Sequence, residues 1–112
     1  MNFEQEIFDN YVVVRPNATR LDSIAAPEFR QIVLELSEQL GLQIVIDLVE
    51  IEFMDSSGLG AIIGCYKATQ DTGGMLLCNV CDNVKEVFTL THMDRIFEIN
   101  DDLDACIQKR AA

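Results

Sequence analysis

Two short β-prone stretches open the chain, Phe3 to Phe8 and the β-branched run Tyr11 to Arg15. Asp9-Asn10 between them suits a two-residue hairpin turn, since both residues tolerate positive φ, and Pro16-Asn17 ends the second strand. The hydrophobic period then changes. In LDSIAAPEFRQIVLELSEQLG, Phe29, Ile32, Val33, Leu36 and Leu40 recur at helical spacing. Glu28, Arg30, Gln31, Glu35 and Glu38 fill most of the opposite face. Asp22 or Ser23 can cap this helix, Pro27 belongs in its first turn and Gly41 closes it.

The run Gln43 to Leu48 reads as a buried strand, followed by a connection with apolar anchors at Ile51 and Phe53. Asp55-Ser56-Ser57 then offers three consecutive capping side chains to a helix carrying Leu59, Ile62, Ile63 and Tyr66 on one face. Gly58, Gly60 and Gly64 each weaken that helix by roughly 1 kcal/mol relative to Ala. Gly60 and Gly64, four apart, are expected to admit a neighbouring element, and Gly73-Gly74 to end the helix. Met75 to Asn79 is a further strand. Asp82 or Asn83 caps a helix with Val84, Val87, Phe88 and Thr91 turned inward. Arg95 to Ile99 suggests a short edge strand, and Asn100 or Asp101 starts a last helix with Leu103, Cys106 and Ile107. The order ββαβαβαβα predicts an α/β fold: a mixed sheet of about five strands with about four helices packed on it. The 112 residues show no linker and no repeat, so a single domain spanning 1–112 is expected.

Charge narrows the partners. The net charge is −11, from 19 acidic and 8 basic residues, and no basic patch is visible. Such a surface repels nucleic acid and anionic membranes, which are bound through Lys and Arg, and it complements a basic protein. Met1-Asn2-Phe3-Glu4 lacks the basic start and apolar run of a secretory signal, and no window reaches the ~18 apolar residues of a membrane span. A cytoplasmic protein with reduced thiols is expected.

The candidate chemistry is sparse. Cys78 and Cys81 have C-x-x-C spacing, which fits either a redox pair or a buried strand residue beside a loop thiol. One histidine, His92, and two distant cysteines are a poor supply of further zinc ligands. A nucleophilic Ser56 would need a base. His92 is the sole histidine, no G-x-S-x-G elbow is present, and no phosphate-binding G-x-x-x-x-G-K-[ST] occurs. Beside that of an enzyme nucleophile, Ser56 has two main readings. It is a helix cap, or it is an exposed acceptor hydroxyl that gains about −1.5 to −2 charges if phosphorylated.

MDSSGLGAIIGCYK, taken with the upstream LDSIAAPEFR, resembles the STAS-domain anti-sigma factor antagonists, most strongly over residues 53–67. The resemblance implies the STAS fold and a non-enzymatic regulator with no cofactor, metal or catalytic residue of its own. It implies a partner that is both anti-sigma factor and serine kinase, with a histidine-kinase-like ATPase fold. That kinase would phosphorylate Ser56 and so lose its grip, and a metal-dependent PP2C-type phosphatase would reset the switch. The partner-binding surface would comprise Asp22, Asp55, Ser56, Ser57, Gly58 and Leu59, on a monomer or weak dimer that binds neither nucleic acid nor membrane. Thr19-Arg20-Leu21-Asp22 departs from the Gly-x-Leu-Asp common in the family, and Arg20 is placed to alter partner choice. The alternative is a STAS subunit of a lipid-transport or stress-sensor complex that does without the phospho-switch.

Overall fold

The computed structural model describes residues 2–106. Strands β1 (Phe3–Ile7) and β2 (Tyr11–Pro16) form the expected hairpin, antiparallel with Phe3 opposite Pro16 and Ile7 opposite Val12. Parallel strands β4 (Gln43–Asp47), β6 (Met75–Cys78) and β7 (Ile99–Asn100) complete a five-stranded mixed sheet in the order β1-β2-β4-β6-β7. The strands add on outward in one direction. Successive right-handed crossovers therefore put the three intervening helices on the same face. These are α1 (Ala26–Leu40), α2 (Ser56–Thr69) and α3 (Asp82–Leu90).

The parallel strands are buried on both sides, as sheets covered on two faces are. Val12, Val14, Ile44, Ile46 and Leu77 meet Phe29, Val33, Ile62 and Phe88 from the helices. Tyr11, Val13, Val45, Leu76 and Cys78 point to the opposite face, where Leu103 and Cys106 cover them. Residues 103–106 are helical, as expected, and Ile107 lies outside the described residues.

Two strands escaped the sequence pattern. Arg20–Leu21 (β3) pairs in parallel with Phe53–Met54 (β5), Arg20 opposite Phe53 and Leu21 opposite Met54. This ribbon leads one strand into α1 and the other into α2. Leu21 and Met54 face inward, 0% and 3% exposed. Phe53, expected as an apolar anchor, is exposed, because the residue beside the inward Met54 must face out. Ile51 holds the connection, fully buried.

Other boundaries move for identifiable reasons. The expected strand at Arg95 to Ile99 is replaced by a 3₁₀ turn, Met93–Arg95, and the pairing is confined to β7. Phe97 is held in the core by edge-on contacts to Phe88 and Tyr66, at 5.6 and 5.2 Å between centroids, and pulls that segment off the sheet line. Helix α3 starts from Cys81 without a side-chain cap, and Asp82 is its first residue rather than its cap. Thr91, expected inward, is exposed and donates its hydroxyl to the Val87 carbonyl.

The glycines of α2 also divide differently from expectation. A Cβ at Gly60 would meet nothing within 4 Å, and one at Gly64 would lie 3.2 Å from Nε of the flexible Arg30 side chain. At Gly58 it would lie 2.1 Å from the Leu21 carbonyl oxygen, which is backbone and cannot swing aside. Gly58→Ala is therefore expected to destabilise the protein by about 2–3 kcal/mol. Gly60→Ala, two residues on, should stabilise it by roughly 0.5–1 kcal/mol through helix propensity. Urea-denaturation midpoints of the two variants would show these opposite signs.

Candidate functional site

The entry into α2 is fixed by Asp55. Its backbone is extended, at φ −102° and ψ −171°, and its carboxylate accepts the Gly58 N–H at 3.0 Å. That is the N-cap geometry, in which a side-chain oxygen takes one of the helix's orphan donors. Ser56 and Ser57 are then the first two residues of the helix proper. Both are exposed, and neither hydroxyl has a hydrogen-bond partner among the described residues. The capping alternative for Ser56 thus passes to its neighbour, and a free, solvent-facing hydroxyl remains.

Asp22 plays the matching part at the entry to α1. One of its carboxylate oxygens accepts the N–H of Ile24 at 3.1 Å and of Ala25 at 3.2 Å, and its carbonyl accepts from Ala26 at 2.8 Å. A turn at residues 23–25 thereby leads into the regular helix, with Pro27 in the first turn and Gly41 closing it at φ +63°. The Ala25 N–H above all, then the Ile24 N–H and Arg20, hold the Asp22 carboxyl below the usual carboxylate range.

The β3–β5 ribbon brings these two entries together. Continuing its register sets Asp22 level with Asp55, and the Gly58–Leu21 contact presses the start of α2 against the backbone that ends in Asp22. The outward face of the ribbon carries Arg20 and Phe53. The Arg20 guanidinium lies 4.3 Å from the Phe53 ring centroid and 3.5 Å, through Nε, from the Asp22 carboxylate. Ile24, 87% exposed, adds an apolar side chain beside Asp22. Between the first turns of α1 and α2 lies a shallow groove of about 300 Å³, lined among others by Ser23, Pro27, Arg30, Ser57 and Gly60.

Asp22, Asp55, Ser56 and Ser57 therefore share one end of the molecule. Gly58 and Leu59, expected on the binding surface, are buried, since the helix turns them toward the core. They support the site from inside. The residues missed by sequence reasoning are Ile24, which carried no signal there, and Phe53, whose apolar character suggested an anchor in the core.

The other chemistries find little support. His92 ends α3 in a left-handed conformation at φ +60° and is exposed, and it is not among the residues lining the groove at Ser57. Cys78 is fully buried, and its thiol is pushed up by a hydrogen bond with Cys106 and by burial. Cys81 instead points its thiol at the Ile51 carbonyl, 3.4 Å away. Burial also pushes the Cys65 thiol up, to about 12. Neither Cys65 nor Cys78 is presented as a reactive thiolate.

The profile of the STAS domain matches residues 2–106. This chain belongs to the STAS domain family. The anti-sigma-B factor antagonist of Bacillus subtilis (strain 168) is 31% identical to it over 102 residues, 89% of this chain and 93% of that one. A Thermotoga maritima protein, provisionally assigned as an anti-sigma factor antagonist, superposes with a TM-score of 0.84 at 27% identity, covering 96% of this chain and 92% of its own. The Bacillus anti-sigma factor antagonist SpoIIAA, in its unphosphorylated form, gives 0.79 at 24% identity over 99% and 98% of the two chains. Its phosphorylated form gives 0.72 at 23% over 99% and 100%. The SpoIIAA likeness attests the shared fold. Among the described residues of this STAS domain, no helix is long and apolar enough to cross a membrane.

The division of labour between Asp55 and Ser56 is measurable. Asp55→Ala removes the cap and is expected to cost about 0.5–2 kcal/mol. Ser56→Ala removes a hydroxyl with no partner and should change stability by less than about 0.5 kcal/mol. Chemical denaturation of both variants checks the contrast.

Proposed function

We propose that this STAS domain is a non-enzymatic anti-sigma factor antagonist switched by phosphorylation of Ser56. Unphosphorylated, it binds an anti-sigma factor that is also a serine kinase and frees that protein's client. The observation that carries the reading is the capping arrangement at α2: Asp55 takes the orphan N–H, and Ser56 stands exposed and unengaged beside it. An acceptor must reach a kinase without unfolding its own helix, and this hydroxyl costs the fold nothing to give up. The name of the Bacillus subtilis relative and the existence of SpoIIAA in both phosphorylation states support the same reading.

The mechanism is local. Asp22, Asp55, Ser56 and Ser57 form a fixed surface, with Ile24 as an apolar contact at its edge. A phosphate on Ser56 adds about −1.5 to −2 charges beside two carboxylates that their backbone bonds keep in place. A hundredfold loss of affinity requires only about 2.7 kcal/mol. Burying a phosphate at an interface shaped for a neutral hydroxyl supplies that much through desolvation and repulsion. A PP2C-type phosphatase then regenerates the binding form.

Intact-protein mass spectrometry after incubation with the co-encoded kinase and ATP tests the switch. A single added phosphate on the wild type and none on Ser56→Ala is the expected result. No phosphate on either protein would sink the reading, and a phosphate that persists on the variant would move the acceptor to Ser57. The net charge of −11 further implies a basic kinase face. Affinity measured by calorimetry should fall as sodium chloride rises, and a salt-independent affinity would contradict that partner chemistry.

A further inference from the structure

We propose that Arg20 is the counter-ion of the Ser56 phosphate: a positioning residue that leaves Asp22 for the phosphate in the phosphorylated form. This rests on the assignment of Ser56 as the acceptor.

Three observations lead there. First, the guanidinium is held ready. It is stacked on the Phe53 ring at 4.3 Å, and its Nε touches Asp22 only at 3.5 Å, with 60% of the side chain exposed. A planar fork fixed by an aromatic face loses little further freedom on meeting an oxyanion, and its remaining N–H groups match phosphate bidentately. Second, it leans the right way. Arg20 stands opposite Phe53, yet it meets Asp22 two residues further along the chain, at the level of Asp55. Ser56 follows directly, and the Gly58–Leu21 contact holds the start of α2 against this same stretch. Third, Asp22 does not depend on Arg20. Its other oxygen bonds the Ile24 and Ala25 N–H groups, so α1 keeps its entry when the arginine departs.

The charged groups facing the phosphate are then Asp22 and Asp55, which oppose its second ionisation, and Arg20, which favours it. Arg30 lines the groove that Ser57 also lines, its guanidinium against Gly64. Transfer of Arg20 would bare the Asp22 carboxylate while the guanidinium stays stacked on the Phe53 ring. One added phosphate thus rewrites a surface three residues wide.

The test uses full-length protein carrying phosphoserine at position 56 by site-specific incorporation, so that it does not depend on any kinase. The second ionisation of the phosphate is followed by phosphorus NMR against pH. Arg20→Gln is expected to raise that ionisation by about 0.5–1 pH unit, less than a buried pair would give, because the site is exposed. Arg20→Lys should recover part of the shift, Phe53→Leu should give an intermediate value, and Arg95→Gln, in the 3₁₀ turn beyond α3, should leave it unchanged. Equal ionisation in wild type and Arg20→Gln would overturn the proposal. So would a loss of partner binding by unphosphorylated Arg20→Gln with no change in the phosphate, since Arg20 would then be a partner contact. Failure of the kinase to label Ser56 would instead count against the acceptor assignment alone.

Discussion

The start of α2 can sit where it does only because residue 58 has no side chain. A single carbon there would lie 2.1 Å from the Leu21 carbonyl. This close approach ties the second helix to the strand that leads into the first, through a ribbon only two residues long on each side. Leu21 and Met54 supply the inward half of that ribbon, and their burial anchors it to the core. The outward half, Arg20 and Phe53, continues into Asp22 and Asp55. The distance between the two helix entries is therefore set by backbone contact, and the end that carries the candidate site inherits its geometry from the core.

Rigidity of the two carboxylates matters as much as their presence. Each accepts backbone N–H groups, Asp22 from Ile24 and Ala25 and Asp55 from Gly58. Such bonds fix the direction in which each carboxylate points. A third carboxylate braces the approach from behind. Asp47, 2% exposed at the end of β4, accepts from Arg15, from Asn79 and from the Val49 N–H, and so shapes the connection that delivers β5. The surface around Ser56 is consequently a fixed pattern of charge. A modification there alters what a partner meets without altering the scaffold that presents it.

Much of this was legible in the sequence, and the failures are physical. Helices α1 and α2 and the strands β2, β4 and β6 announced themselves through period, β-branching and glycine stops. The two-residue strands β3 and β5 could not, since two residues carry no period. Phe53 read as core because an aromatic residue next to Met54 satisfies composition equally well on either face. The choice between Asp55 and Ser56 as cap was undecidable from side-chain type, because both can accept an N–H. Only the extended backbone of Asp55 settled it. Close approach was expected at Gly60 and Gly64 from their spacing along one side of the helix. It falls chiefly on Gly58, because the contact is made by a strand at the helix end and not by a helix along its side.

The balance between global and local charge sets the range at which the proposed switch would act. A phosphate takes the protein from −11 to about −13, a small change in the field felt at a distance. At physiological salt that field is screened beyond about 8 Å in any case. At the site the proportions differ. Arg20 pairs with Asp22 there, and Arg30 lines the groove with Ser57, so cations stand beside the carboxylates at this end of a strongly acidic protein. Two added charges would change that local pattern while leaving the long-range field almost as it was. In the proposed switch the discrimination would be made in contact, where desolvation and the placement of single side chains decide, at the end where the backbone constraints lie.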